Sequence, residues 1–156
     1  MELRNTSRRK GFTLIEVIVV IGLLGLIAAI GLFISFDFYK SYSFRSEKSV
    51  VISALQKARG QALANINQSN HGVHYGSGAD CHLFSKCYVI FEGNTFNAGS
   101  DSNNEIQAVS AVSVNWTSDV LFNQLDGAAN SVTITLTQDT RSITITTNNE
   151  GRIDWQ

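Results

Sequence analysis

Five side chains between His71 and Cys87 are of the kinds that hold metals or carry out nucleophilic chemistry: His71, His74, Cys81, His82 and Cys87. Their spacing does not favour a metal. HxxH followed by CHxxxxC matches no zinc-finger or ribbon pattern, and two histidines three apart on one strand point to opposite faces. Cys81 and Cys87 are the only cysteines and flank a short loop. Zinc thiolates, two free thiols and a bridge are the three states open to them. In a domain outside the cytoplasm a disulfide stapling the loop is the expected one.

The acids Asp80, Glu92, Asp101, Glu105, Asp119, Asp126 and Asp139 fall mostly in loops or at strand ends, where solvated carboxylates are the rule. No GxSxG, HExxH, P-loop or paired-carboxylate pattern accompanies them, so no catalytic residue, metal or cofactor is assigned and an enzyme is not expected. After residue 70 the cations are Lys86, Arg141 and Arg152. Arg141 and Arg152 could adjoin across the last strands, which makes them the candidate DNA contacts, but a phosphate backbone calls for a clustered basic face and DNA is not the expected partner.

Glu16 is different. It is the one ionisable side chain in Phe12 to Ile34, a run of 23 residues that at helical rise covers roughly 35 Å and can cross a hydrocarbon core with some tilt. A carboxylate there costs about 2.5 to 3.5 kcal/mol near the bilayer centre, and a residue so costly normally meets a partner. Ahead of the run stand Arg4, Arg8, Arg9 and Lys10 against Glu2 alone. That excess holds the amino terminus in the cytoplasm and puts the chain beyond the span on the other side of the membrane. No small-residue cleavage site comes after the apolar run, so any cut precedes it. Loss of the first eleven residues takes four bases and one acid from totals of 12 and 13, leaving 8 against 12 and a mature net charge of −4.

GFTLIE, Gly11 to Glu16, resembles the type III signal of type IV pilins and type II secretion pseudopilins. The resemblance implies cleavage between Gly11 and Phe12 by a membrane prepilin peptidase, methylation of the new amino terminus at Phe12, and pairing of Glu16 with the amino-terminal ammonium of a neighbouring subunit. It further implies lipid as the surroundings before assembly, an inner-membrane assembly platform, and other pilin or pseudopilin subunits as partners in a filament. Burial of a charge in lipid is tolerable when an opposite charge meets it there. An uncleaved anchor whose Glu16 reaches the interface is the plainer alternative. Ala54 to Val73, ALQKARGQALANINQSNHGV, is similar to the helix-to-strand passage of H-type minor pseudopilins and FimT-like minor pilins, and the Gly151-Arg152-Ile153 ending resembles the H-type group. Some FimT-like proteins are DNA receptors, which is why Arg141 and Arg152 are named.

The elements that position these residues emerge from period and composition. Residues 1–11 read as a leader, 12–34 as the membrane and assembly helix, 35–67 as its amphipathic continuation, and 68–156 as an extracytoplasmic β domain, an α+β chain overall. In the continuation Val51, Leu55, Ala58, Ala62 and Ile66 form one stripe, widened by Val50, Ala54 and Leu63, as for a helix lying on a sheet. Phe36, Phe38, Tyr39, Tyr42 and Phe44 read as an interfacial aromatic collar. Strands are expected at His71–Tyr75 and Cys87–Glu92, at 105–110, 112–116 and 120–123, and in SVTITLT and RSITITT, joined by a turn at 138–140, with a last strand at Arg152–Trp155. One small antiparallel sheet covered by the helix is the expected domain. The reading is a non-enzymatic minor filament subunit. Its rivals are a DNA-binding minor pilin and an unpolymerised anchored module with ligand-holding loops at 79–85 and 93–104.

Overall fold

The computed structural model describes residues 11–99 and 104–156, with the backbone alone for residues 32–35. The leader bases and Asp101 lie outside the described residues. Helix α1 spans Leu14–Leu63, 50 residues, and the chain divides into two compact units at Tyr39 and Lys40.

In the first unit Thr13 starts the helix: its hydroxyl accepts from the Glu16 amide at 3.3 Å and its carbonyl accepts from the Val17 amide at 3.3 Å. Thr-x-x-Glu is the sequence of a capping box, and the threonine half of it is formed. An 18-residue window of mean hydropathy 3.1 comes next, none of it buried, which is long and apolar enough to cross a membrane. Phe36, Phe38 and Tyr39 are exposed in this unit.

The second unit begins with the rest of α1. Val51, Ala54, Leu55, Ala58 and Ala62 are buried against the sheets, as their spacing predicts. The helix ends at Leu63, four residues short of the expected Asn67, because Asn65 and Asn67 turn left-handed at φ 55 and 54, a conformation asparagine tolerates. Leu63 and Ile66 are therefore exposed rather than part of the stripe. Phe44 also departs from expectation. It packs against the core instead of joining the collar, since it lies seven residues before Val51 on the same helical face.

Among the described residues eight strands complete this unit: β1 His71–Ser77, β2 Lys86–Glu92, β3 Glu105–Gln107, β4 Ser113–Trp116, β5 Val120–Phe122, β6 Val132–Gln138, β7 Arg141–Thr147 and β8 Ile153–Trp155. They make two four-stranded sheets, β3-β2-β1-β5 and β4-β6-β7-β8, where one was expected. Every pairing is antiparallel, with His71 opposite Glu92 in the first sheet and Ile134 opposite Ile145 in the second. The β6–β7 turn is Asp139-Thr140, with Asp139 at φ 52.

Val132, Ile134, Leu136 and Ile145 join Tyr88, Ile90, Val73 and the helix stripe in one core. The alternating side of β2 serves a second cluster, in which Cys81, Cys87 and Val89 pack with Phe84 and Phe96. Both faces of β2 are thereby covered, one by the core and one by loops. Gly151, at φ +71, has the Gly127 carbonyl oxygen standing where a Cβ would go. Only glycine fits that turn.

Candidate functional site

The chemistry with the clearest place in the fold is at the start of α1. Gly11 and Phe12 precede the helix, and Phe12 is 83% exposed. Glu16 occupies the first helical turn and, with Phe12, Val17, Val20 and Ile21, lines an apolar hollow of about 220 Å³. A small residue, an exposed aromatic and an acid in the first turn of an uncovered apolar helix are thus brought together.

Residues 6–32 match the family described as the prokaryotic N-terminal methylation motif. The chain carries the type IV pilin signal. That motif marks the pilin and pseudopilin family without specifying a subtype. Neither the curated proteins nor the solved structures give a match to this chain.

In the β unit the five ligand-type side chains singled out by sequence are each engaged elsewhere. Cys81 and Cys87 form a disulfide. His71 is buried with Nε2 3.0 Å from the Ile66 carbonyl, and His82 lies 3.3 Å from Glu105. The Glu105 carboxylate also accepts from the His82 and Leu83 amides at 2.6 and 3.0 Å. Those two backbone donors hold its pKa below the ordinary carboxylate value, and together with the disulfide they fasten the 81–87 loop to β3.

His74 joins three connections at once. Its Nδ1 lies 2.7 Å from Asp119, its Nε2 3.9 Å from Asp80, and its ring stacks on Phe96 at 4.0 Å. The hydrogen bond to Asp119 raises its pKa, and the charges of Asp119 and Asp80 add to that against the opposing effect of burial. Two acids and a phenyl ring around an imidazole lock loops together. They do not supply a nucleophile for it to activate.

Arg141 and Arg152 are not neighbours. Arg141 pairs with Gln138 at the hairpin end of β7 and donates to Ser41, whereas the Arg152 carbonyl accepts from the Asn148 amide just beyond the other end of β7. Seven residues of strand hold them more than about 20 Å apart. Arg152 Nε also donates to Asp154 at 2.8 Å. The expectation that they adjoin is thus corrected: β7 separates them along its length.

One charged residue went unremarked in the sequence pattern. Glu47 is fully buried in α1, accepting from the Tyr88 hydroxyl at 2.5 Å and the Val109 amide at 2.8 Å. Burial raises its pKa, while those two donors and the more distant Lys86 charge pull it back. Tyr88 is pushed far above the usual phenol range, by burial first and then by the Glu47 charge. Tyr75 and Trp116 pack around Tyr88 with ring centroids 5.3 and 5.7 Å away. The signal was present: Glu47 lies four residues before Val51 on the apolar stripe, where a charge is costly unless hydrogen-bonded.

Proposed function

We propose that this chain is a minor pilin or pseudopilin, a non-enzymatic subunit of a type IV pilus-like or type II secretion filament. In this reading prepilin peptidase cuts between Gly11 and Phe12 and the new terminus at Phe12 is methylated. The mature protein then waits as a single-pass inner-membrane protein with its β unit outside the cytoplasm. An assembly platform lifts it into the fibre, exchanging lipid contact for contact with neighbouring helices, where Gly22, Gly25, Ala28 and Ala29 permit close approach. Glu16 meets the amino-terminal ammonium of the next subunit. The observation that carries the reading is the methylation motif at residues 6–32, placed so that Glu16 sits in the first helical turn.

Intact mass spectrometry of the protein from its native membrane tests it. The expected chain begins at N-methylated Phe12. A chain that retains residues 1–11 while performing its native role defeats the proposal and favours the unpolymerised anchored module.

A further inference from the structure

In the Lys40–Gln156 unit a cleft of about 310 Å³ opens between α1 and β8, with Arg59 and Arg152 among its walls. Gln56 supplies an amide, Leu63 and Ile153 supply apolar surface, and among the described residues no carboxylate lines it. The Arg59 guanidinium is fixed on the 150–151 turn: Nη2 donates to the Glu150 carbonyl at 3.3 Å, and Nε is shielded from solvent with no hydrogen-bond partner among the described residues. A guanidinium presents five donors, and this one is short of acceptors. Arg152 gives only Nε to Asp154, and its side chain is 71% exposed.

Beside the cleft stands an aliphatic knob. Leu125 is 64% exposed and held at φ 72, a left-handed backbone that persists for a bulky residue only where its surroundings impose it. Here they do: the Leu125 amide donates to the Ala62 carbonyl at 3.0 Å and the Gln124 amide to Asn70 Oδ1 at 2.7 Å. The loop is pinned to the end of α1 next to exposed Leu63, and a large apolar side chain is pushed into solvent.

We propose that the Arg59–Arg152 cleft and the Leu125 knob together form a docking site for a segment of another protein that carries a carboxylate flanked by aliphatic side chains. Two guanidiniums in an otherwise carboxylate-free cleft complement one acidic side chain, and Leu63 and Leu125 complement its neighbours. A nucleic-acid backbone fits less well. Its successive phosphates would run past Asp126 and Glu150 in the adjoining turns and Asp154 beyond Arg152, while an aliphatic knob has nothing to stack on a base. The site lies on the last turns of α1, away from the Phe12–Ile34 stretch that the assembly reading uses, so it does not depend on polymerisation.

The test uses the full chain in detergent micelles and a fluorescent peptide, acetyl-Leu-Glu-Leu-Glu-Leu-amide, with its glutamine counterpart as control and a duplex DNA as a separate arm. Saturable binding of the acidic peptide, tighter than the glutamine peptide by at least about tenfold, is expected on the strength of charge-assisted bonds. Arg59→Gln and Arg152→Gln should each remove that preference, Leu125→Ser should weaken both peptides, and Lys57→Gln should change nothing. Arg152 is exposed enough that its variant stays folded if Arg59→Gln does not. Equal binding of the two peptides, indifference to both arginine variants, absence of saturation, or displacement of the peptide by DNA overturns the proposal.

Discussion

Glu16 and Glu47 are carboxylates on one helix in opposite predicaments. Glu16 stands in the first turn of an uncovered apolar segment, and among the described residues no side chain settles its charge. Glu16→Ala is therefore expected to insert and be cleaved normally yet to enter filaments at least about tenfold less, since about 1.4 kcal/mol of lost pairing is a factor of ten; comparing cleaved membrane pools with sheared filaments by immunoblot measures it. Wild-type incorporation would remove the ion-pair role. Glu47 is satisfied inside its own fold. Its raised pKa means that its contribution to stability is whole below the ordinary carboxylate value and declines as pH climbs through the raised one. Glu47→Gln should abolish that part of the slope, and Tyr88→Phe should steepen it while costing about 1 to 3 kcal/mol by stripping a donor from a buried charge. Urea denaturation at pH 4.5, the reference value for this group, and again at neutral pH checks both. The lowered pKa of Glu105 works in the other direction, gaining stability above its unfolded value, and cancels between wild type and the Glu47 variant.

Among the elements, β2 and its loops are fastened both by a disulfide and by the Glu105 carboxylate. The Cys81–Cys87 bridge has a sequence separation of 6, and a loop that short gains about 2 kcal/mol from chain entropy when closed. Replacing both cysteines with serine should lower stability by roughly that amount, read in a denaturation curve, and leave the α1 core standing because the bridge belongs to the separate Phe84–Phe96 cluster. Gly151→Ala should cost more, at least about 2 kcal/mol, because left-handed strain adds to a collision with the Gly127 carbonyl. These differences also explain what could be read in advance. The β6–β7 hairpin was legible because Val132, Ile134 and Leu136 alternate with threonines over a full strand, and the helix stripe because Val51, Leu55, Ala58 and Ala62 keep one period. Two sheets in place of one were not legible, because β1 takes β5 and β4 takes β6 as partners, and such distant pairings leave no local pattern in segments of three or four residues. Arg141 and Arg152 failed for a different reason: Arg141 opens β7 and Arg152 precedes β8, and the starts of two consecutive antiparallel strands lie at opposite ends of the pair. Glu47 was legible and overlooked.

For the molecule as a whole, the division at Tyr39 and Lys40 separates a unit whose apolar surface is uncovered from one with a closed core. A chain cut to Lys40–Gln156 should be soluble without detergent and unfold in a single cooperative transition by calorimetry. A melt without cooperativity would show that the core needs the preceding turns of α1. The helix layer of that core precedes the eight strands among the described residues, so during synthesis the Val51 to Ala62 stripe emerges bare. In that interval Glu47 stands in water at the leading end of the seam, one turn before Val51, and a hydrated carboxylate there opposes clumping of the nascent helix with others through its greasy side. Only the arrival of Tyr88 and Val109 replaces that water with fitted donors, so the residue that guards the helix while it waits becomes the one that registers when β2 has come home.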